Sequence, residues 1–270
     1  VNRLVIGSKN FTEQVILGEI LAQEVERKTS LKVDRRLNLG GTLICHEAIV
    51  AGQLDMYVEY TGTALTAILK EPANNDPAIV YQKVRDAYRD RFHVEWTEPL
   101  GFNNTFVMVI RGSDAARLHL KTISDATPHF AEWTAGFGYE FMERQDGFPG
   151  LIRTYHLPKS QQPKVMDLGL IYRALSSGQV DVVAGNSTDG LIDSLKLFAL
   201  EDDKHYFPPY DAVPLVRQET LQKHPDLRHV LAGLGGKISE EDMRHLNFQV
   251  DGEHRDVKEV AREFLNSKGL

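Results

Sequence analysis

Asp55-Met56-Tyr57-Val58-Glu59-Tyr60-Thr61-Gly62-Thr63-Ala64-Leu65 changes its periodicity part-way along. Met56, Val58 and Tyr60 alternate with Tyr57 and Glu59, and this β-branched, aromatic run predicts a strand. The strand breaks at Thr61-Gly62-Thr63, and Ala64-Leu65-Thr66-Ala67-Ile68-Leu69 restarts the chain as a threonine-capped helix. Such a strand-to-helix turn makes a small-molecule site. Tyr60 offers a π-face, Thr63 a hydroxyl, and the helix start unpaired N–H groups that favour an anion. The same residues also suit an ordinary turn with Tyr60 packed in the core. The flanking sequence has to decide.

Upstream, Leu4-Val5-Ile6-Gly7-Ser8 reads as a first strand. Asn10 and Glu13 have the spacing of a capping box, and Val15, Ile16, Ile20, Leu21 and Val25 follow at helical spacing. Lys9 lies between strand end and cap, where ligands bind in open α/β sheets. Leu31 to Leu37 predicts a second strand, and Gly40-Gly41-Thr42 leads into a helix from about Leu43 to Gly52. The double glycine is too short for a dinucleotide loop, and no phosphate-binding loop occurs elsewhere. Cys45-His46-Glu47 lacks the second histidine of a zinc helix, which favours a structural role.

Downstream, a turn rich in Pro, Asn and Asp at Glu71–Pro77 precedes a helix around Ile79–Arg91. Leu100 to Thr105, including Asn104, forms a turn-rich crossover into the apolar Phe106-Val107-Met108-Val109-Ile110. Ile123 opens a short element, and Trp133 to Gly138 leads to a strand-to-helix turn. Arg144, just beyond it, can grip a carboxylate bidentately. Val165 to Ser177 reads as a helix, and Val180 to Ala184 as a strand that delivers Asn186 and its polar neighbours to a helix start. Phe207-Pro208-Pro209-Tyr210 is a second, rigid crossover, and Val213 to Val216 a returning strand. Alternating strands and helices argue an α/β fold. Two crossovers about a hundred residues apart predict an inserted lobe, with residues 104–210 forming one lobe and residues 1–103 plus 211–270 the other.

The net charge of −7, without any Lys/Arg run, argues against nucleic acid or an anionic membrane as the main partner. No apolar run reaches the roughly 18 residues of a membrane span. The single cysteine excludes an internal disulfide. The chain opens directly on a strand without a signal-like segment, which fits either a cytosolic protein or a mature or excised one.

Gly7-Ser8-Lys9-Asn10-Phe11-Thr12-Glu13-Gln14, Leu39-Gly40-Gly41-Thr42, Tyr57-Val58-Glu59-Tyr60-Thr61-Gly62-Thr63, Leu200-Glu201-Asp202-Asp203-Lys204 and Phe207-Pro208-Pro209-Tyr210-Asp211 together resemble the ProX/OpuAC-type family. These are substrate-binding proteins of ABC importers for quaternary ammonium compounds such as glycine betaine, choline and carnitine. The matches run in order from Val5 to Leu265. The resemblance implies a two-lobed periplasmic-binding-protein fold of type II, with two hinge crossovers and the ligand in the cleft between lobes. It also implies an aromatic cage for a trimethylammonium head, each cation–π contact contributing roughly 0.5–2 kcal/mol. By motif, Tyr60 and Tyr210 match cage rings, and Phe106 stands where a further cage tyrosine is common. Lys9, Thr63 and Arg144 are the expected grip on a carboxylate.

Two positions depart from the family pattern. Asn186 replaces a frequent cage tyrosine, which opens a wall unless a ring such as Tyr139 closes it. Asn104 stands where some members carry an acid, so a negative charge near the cation is expected to be missing. Both changes leave a bulkier betaine open as ligand, including carnitine or the histidine betaine ergothioneine. The expected partners are this ligand and an ABC permease, separate or fused. The expected form is a monomer outside the cytoplasmic membrane, lipid-anchored, permease-fused or free. A ligand-sensing domain of a regulator is the remote alternative. No catalytic triad, nucleophile pair, metal cluster or cofactor motif is legible, so an enzyme is not expected.

Overall fold

A computed structural model of the chain describes residues 2–158 and 162–270. The chain first lays down β1 (Arg3–Lys9), β2 (Lys32–Gly40), β3 (Met56–Tyr60) and β4 (Val94–Trp96). It then forms β5 (Phe106–Arg111), β6 (Ala135–Phe137), β7 (Lys164–Val165), β8 (Val182–Asn186) and β9 (Leu197–Leu200). Finally β10 (Ala212–Arg217) returns to the first group. Two five-stranded sheets result, ordered β2-β1-β3-β10-β4 and β7-β6-β8-β5-β9. Each is mixed. In the first, β1 runs parallel to β2 and β3 while β10 runs antiparallel to β3 and β4. In the second, β6 is parallel to β7 and β8, and β5 is antiparallel to β8 and β9.

The chain passes between the sheets twice, and the two passages run side by side. Asn103 and Asp211 form an antiparallel bridge, the Asn104 N–H donates to the Tyr210 carbonyl, and the Ala212 N–H to the Phe102 carbonyl. The two sheets are thus joined by two adjacent, hydrogen-bonded crossovers.

Every residue of β3 is buried. Helices cover both sheet faces, so the expected alternation does not separate a wet face from a dry one. Glu59 is therefore fully buried and held by Lys9. Helix α1 (Thr12–Lys28) buries Ile16, Ile20, Leu21 and Val25, as the spacing predicts, and Leu17 in place of Val15, which is only partly buried. Helix α2 (Thr42–Val50) starts one residue before its expected position. The helix Pro77–Phe92 is capped by the Asp76 carboxylate and has proline in its first turn.

Three expectations are corrected. No side chain caps the turn after β3: helix Thr61–Thr63 passes into a π-helical stretch at Ala64–Ile68, and the Thr63 hydroxyl accepts from Arg144 instead. Asn10 and Glu13 form no capping box. The cap position is Phe11, and Glu13 turns inward to a buried polar cluster that outcompetes the local bond. The helix expected from Val165 to Ser177 begins only at Ile171. Lys164–Val165 pairs with β6, and a 3-10 turn at Leu168–Leu170 follows, because the chain is drawn into the sheet edge before it can coil.

Candidate ligand-binding site

A cavity of about 340 Å³ opens between the two sheets. All eight sequence-derived site residues line it: Lys9, Tyr60, Thr63, Asn104, Phe106, Arg144, Asn186 and Tyr210. They come from the ends of β1, β3, β5 and β8, the short helix Thr61–Thr63, the two hinge passages, and the segment after the helix Tyr139–Glu143. β1, β3 and β8 deliver their last side chains, Lys9, Tyr60 and Asn186, to the gap between the sheets, and β5, which runs antiparallel to β8, delivers its first, Phe106.

Three rings carry the apolar part. Tyr60, only 4% exposed, stacks on Phe11 with ring centroids 6.3 Å apart. Phe106 meets Phe141 edge-on at 5.2 Å and Tyr210 at 5.5 Å. Both tyrosine hydroxyls point away from solvent to carboxylates. Tyr60 donates to Glu13 at 2.5 Å and Tyr210 to Asp146 at 2.6 Å. A phenol donating to a carboxylate has a more electron-rich ring, and the carboxylate behind it adds negative potential. Both strengthen the attraction of that face for a cation.

The cations are already engaged. Lys9 Nζ donates to Glu59 at 2.5 Å and to Thr42 Oγ1 at 3.0 Å, and it lies 5.3 Å from the Tyr60 ring centre. Arg144 makes a fork with Asp146, Nε at 2.8 Å and Nη2 at 2.5 Å. Its Nη1 reaches Glu140 at 3.2 Å, its Nη2 reaches Thr63 at 3.0 Å, and its Cζ lies 5.0 Å from the Phe106 ring centre. Burial alone would lower the Arg144 pKa, but Asp146 and Glu140 outweigh it and the guanidinium stays charged. Burial likewise pushes Asp146 up, and Arg144 holds it below the ordinary carboxylate range. The expected carboxylate grip is thus a pair of cations each closed against a protein carboxylate.

Asn104 does not leave the cleft without an acid. Its Nδ2 donates to Glu13 at 2.7 Å, and Glu13 also accepts from Thr188 at 2.6 Å and Asn247 at 3.3 Å. Burial raises the Glu13 pKa against the opposing pull of these donors. Asn104 itself is 7% exposed, and its Oδ1 has no partner within the protein. An amide oxygen of this cavity-lining residue is therefore buried and unpaired. At the other departure, Asn186 faces Phe106 across the β5–β8 ladder. Tyr139 lines the same cavity but is 72% exposed. Ala184, Met166 and Leu168 line the cavity as well.

Sequence reasoning missed Glu13, Thr42, Glu59, Glu140 and Asp146 as parts of the site. The Glu140–Arg144 spacing of i, i+4 was a usable signal. The others meet their partners only through the fold. Cys45 is buried and its thiol pushed up to about 12 by burial, and burial lowers the pKa of His46, which packs edge-on against Tyr88 and Phe92. No group of three or more metal-ligating side chains occurs among the described residues.

A family model described as the substrate-binding domain of ABC-type glycine betaine transport systems matches residues 2–267. The chain belongs to this family, OpuAC. The carnitine transport binding protein OpuCC of Listeria monocytogenes is 40% identical over 262 residues, 96% of this chain and 85% of that one. The ergothioneine transport permease/ergothioneine binding protein EgtU of Helicobacter pylori is 35% identical over 268 residues, 99% of this chain and 48% of that one. The chain thus spans about half of that relative. Among solved structures, a glycine betaine/carnitine/choline ABC transporter protein matches with a TM-score of 0.81 at 33% identity, covering 98% of both chains. Lactococcal OpuAC in its closed-liganded form matches with a TM-score of 0.71 at 14% identity, a likeness of fold. The chain is accordingly a two-lobed α/β substrate-binding domain of the OpuAC family.

Proposed function

We propose that the chain binds a quaternary ammonium ligand in the cavity lined by Tyr60, Phe106 and Tyr210 and releases it, chemically unchanged, to a permease outside the cytoplasmic membrane. The lobes that close on the ligand are residues 1–103 with 211–270, and residues 104–210. The observation that carries the reading is the convergence of these three rings, two of them bonded through their hydroxyls to carboxylates, on one cavity. A quaternary ammonium has no N–H to donate, so electron-rich faces and dispersion are its means of recognition. The relatives described as carnitine- and ergothioneine-binding support this class. No described helix is long and apolar enough to cross a membrane.

A second reading concerns ligand size. Asn186 stands where a cage ring is expected, and Ala184, Met166 and Leu168 line the same cavity, which favours a quaternary ammonium compound bulkier than glycine betaine. Calorimetric titration with choline, glycine betaine, carnitine and ergothioneine, with glycine and histidine as controls, tests both. Binding confined to the quaternary compounds is expected, and Tyr60→Ala should weaken it at least ~10-fold. Equal binding of glycine, or unchanged affinity in the variant, would overturn the cage.

A further inference from the structure

Glu140 occupies a place that a ligand carboxylate would be expected to seek. It sits in the short helix Tyr139–Glu143 of the second lobe, yet it bonds across the cleft to the start of α2 in the first. Its Oε1 accepts from the Thr42 N–H at 2.7 Å and its Oε2 from the Thr42 hydroxyl at 2.9 Å. That hydroxyl is oriented by Lys9, which donates to it at 3.0 Å. Arg144 Nη1 approaches the same Oε2 at 3.2 Å. A backbone N–H at a helix start, a hydroxyl and two nearby cations make a donor set suited to an anion. Here the protein supplies the anion. Gly41 permits the approach, since a Cβ at that position would lie 2.4 Å from Glu140 Oε1.

The charge balance of the cavity points the same way. Lys9 and Arg144 are each matched by a buried carboxylate, Glu59 and Asp146. Glu140 is then an additional negative charge, with 42% of its side chain exposed, and Asp167 lines the wall as well. Four of the five Arg144 N–H donors and two of the three Lys9 donors already point at protein oxygens.

Building on the quaternary-ammonium reading above, we propose that Glu140 is a specificity-determining residue: by holding the Thr42 donors and placing its charge in the cleft, it biases the site toward a quaternary ammonium cation without a carboxylate and against a zwitterionic one. A zwitterion has to displace Glu140 or bind beside it. A cation gains from its charge.

The test is calorimetric titration of the wild-type chain, Glu140→Gln and Glu140→Asp with choline and with glycine betaine, at neutral pH and low salt. The ratio of choline affinity to glycine betaine affinity should fall ~10-fold or more in Glu140→Gln and return most of the way in Glu140→Asp, which restores the charge. Melting curves without ligand establish that each variant is folded. An unchanged ratio in Glu140→Gln, including the case in which both affinities fall by the same factor, would reduce Glu140 to a closure contact and overturn the proposal. A wild-type chain that binds neither compound, nor any other quaternary ammonium, would overturn the underlying functional reading and this inference with it. The wild-type titration distinguishes that failure from one confined to Glu140.

Discussion

Asp189 shows how a single carboxyl near the site ties stability to pH. It accepts from the Tyr172 hydroxyl and from the Asn186 N–H, the latter at 3.0 Å. It keeps some accessible surface, but the surrounding atoms desolvate its carboxyl and raise its pKa from 3.8 to about 7. Between those values the folded chain holds a proton that the unfolded chain has lost. Stability therefore falls as pH rises from 3.8 to about 7 and stays at the lower level above. Glu13, raised by burial, acts with the same sign. Asp189→Asn retains an acceptor for both donors and removes one titration. Its melting temperature, measured by calorimetry, should change less over this range than that of the wild type, and parallel profiles would refute the assignment. Nothing in the sequence around Asp189 signals this. The shift arises from burial, to which the charges of Glu13 and Asp251 add, against the opposing hydrogen bonds from Tyr172 and Asn186.

Among the elements, the turn after β3 matters most to the site. Strand β3 pairs with β10 from Met56 to Tyr60, which sets Tyr60 opposite Ala212 and beside the second hinge passage. Gly62 lets the following helix approach that passage: a Cβ there would lie 2.4 Å from the Pro209 carbonyl and 2.9 Å from the Tyr210 ring. Gly62→Ala should destabilise the fold by about 1–3 kcal/mol through overpacking and should also weaken ligand binding, because Tyr210 must move. Urea unfolding and titration together check this, and a variant as stable and as tight-binding as the wild type would contradict the packing argument. The strand, the break at Thr61-Gly62-Thr63 and the helical restart were legible because period and turn chemistry are local. The missing caps at Thr63 and Asn10 were not. Their side chains are claimed by partners from elsewhere in the chain, or displaced by Glu13 turning inward.

At the scale of the whole molecule, polar contacts already bridge the cleft. Glu140 reaches Thr42, Arg144 reaches Thr63, and Glu13 reaches Asn104 and Thr188. A ligand held by Tyr60 on one side and Phe106 on the other adds differential affinity for the closed arrangement. Small-angle scattering should show a smaller radius of gyration on saturation with a binding quaternary ammonium compound. The same radius with and without bound ligand would rule out ligand-stabilised closure.

The sequence by itself determined the α/β alternation, the two crossovers, the family and the eight positions that line the cavity. Hydrophobic period, glycine and proline placement, and motif order are properties of neighbouring residues. Only the tertiary structure decided that the expected carboxylate grip is already occupied. Lys9 meets Glu59 across 50 positions of chain, and Thr42 meets Glu140 across 98. Which charges neutralise which depends on strand order and on how two lobes face each other, and no local pattern encodes that.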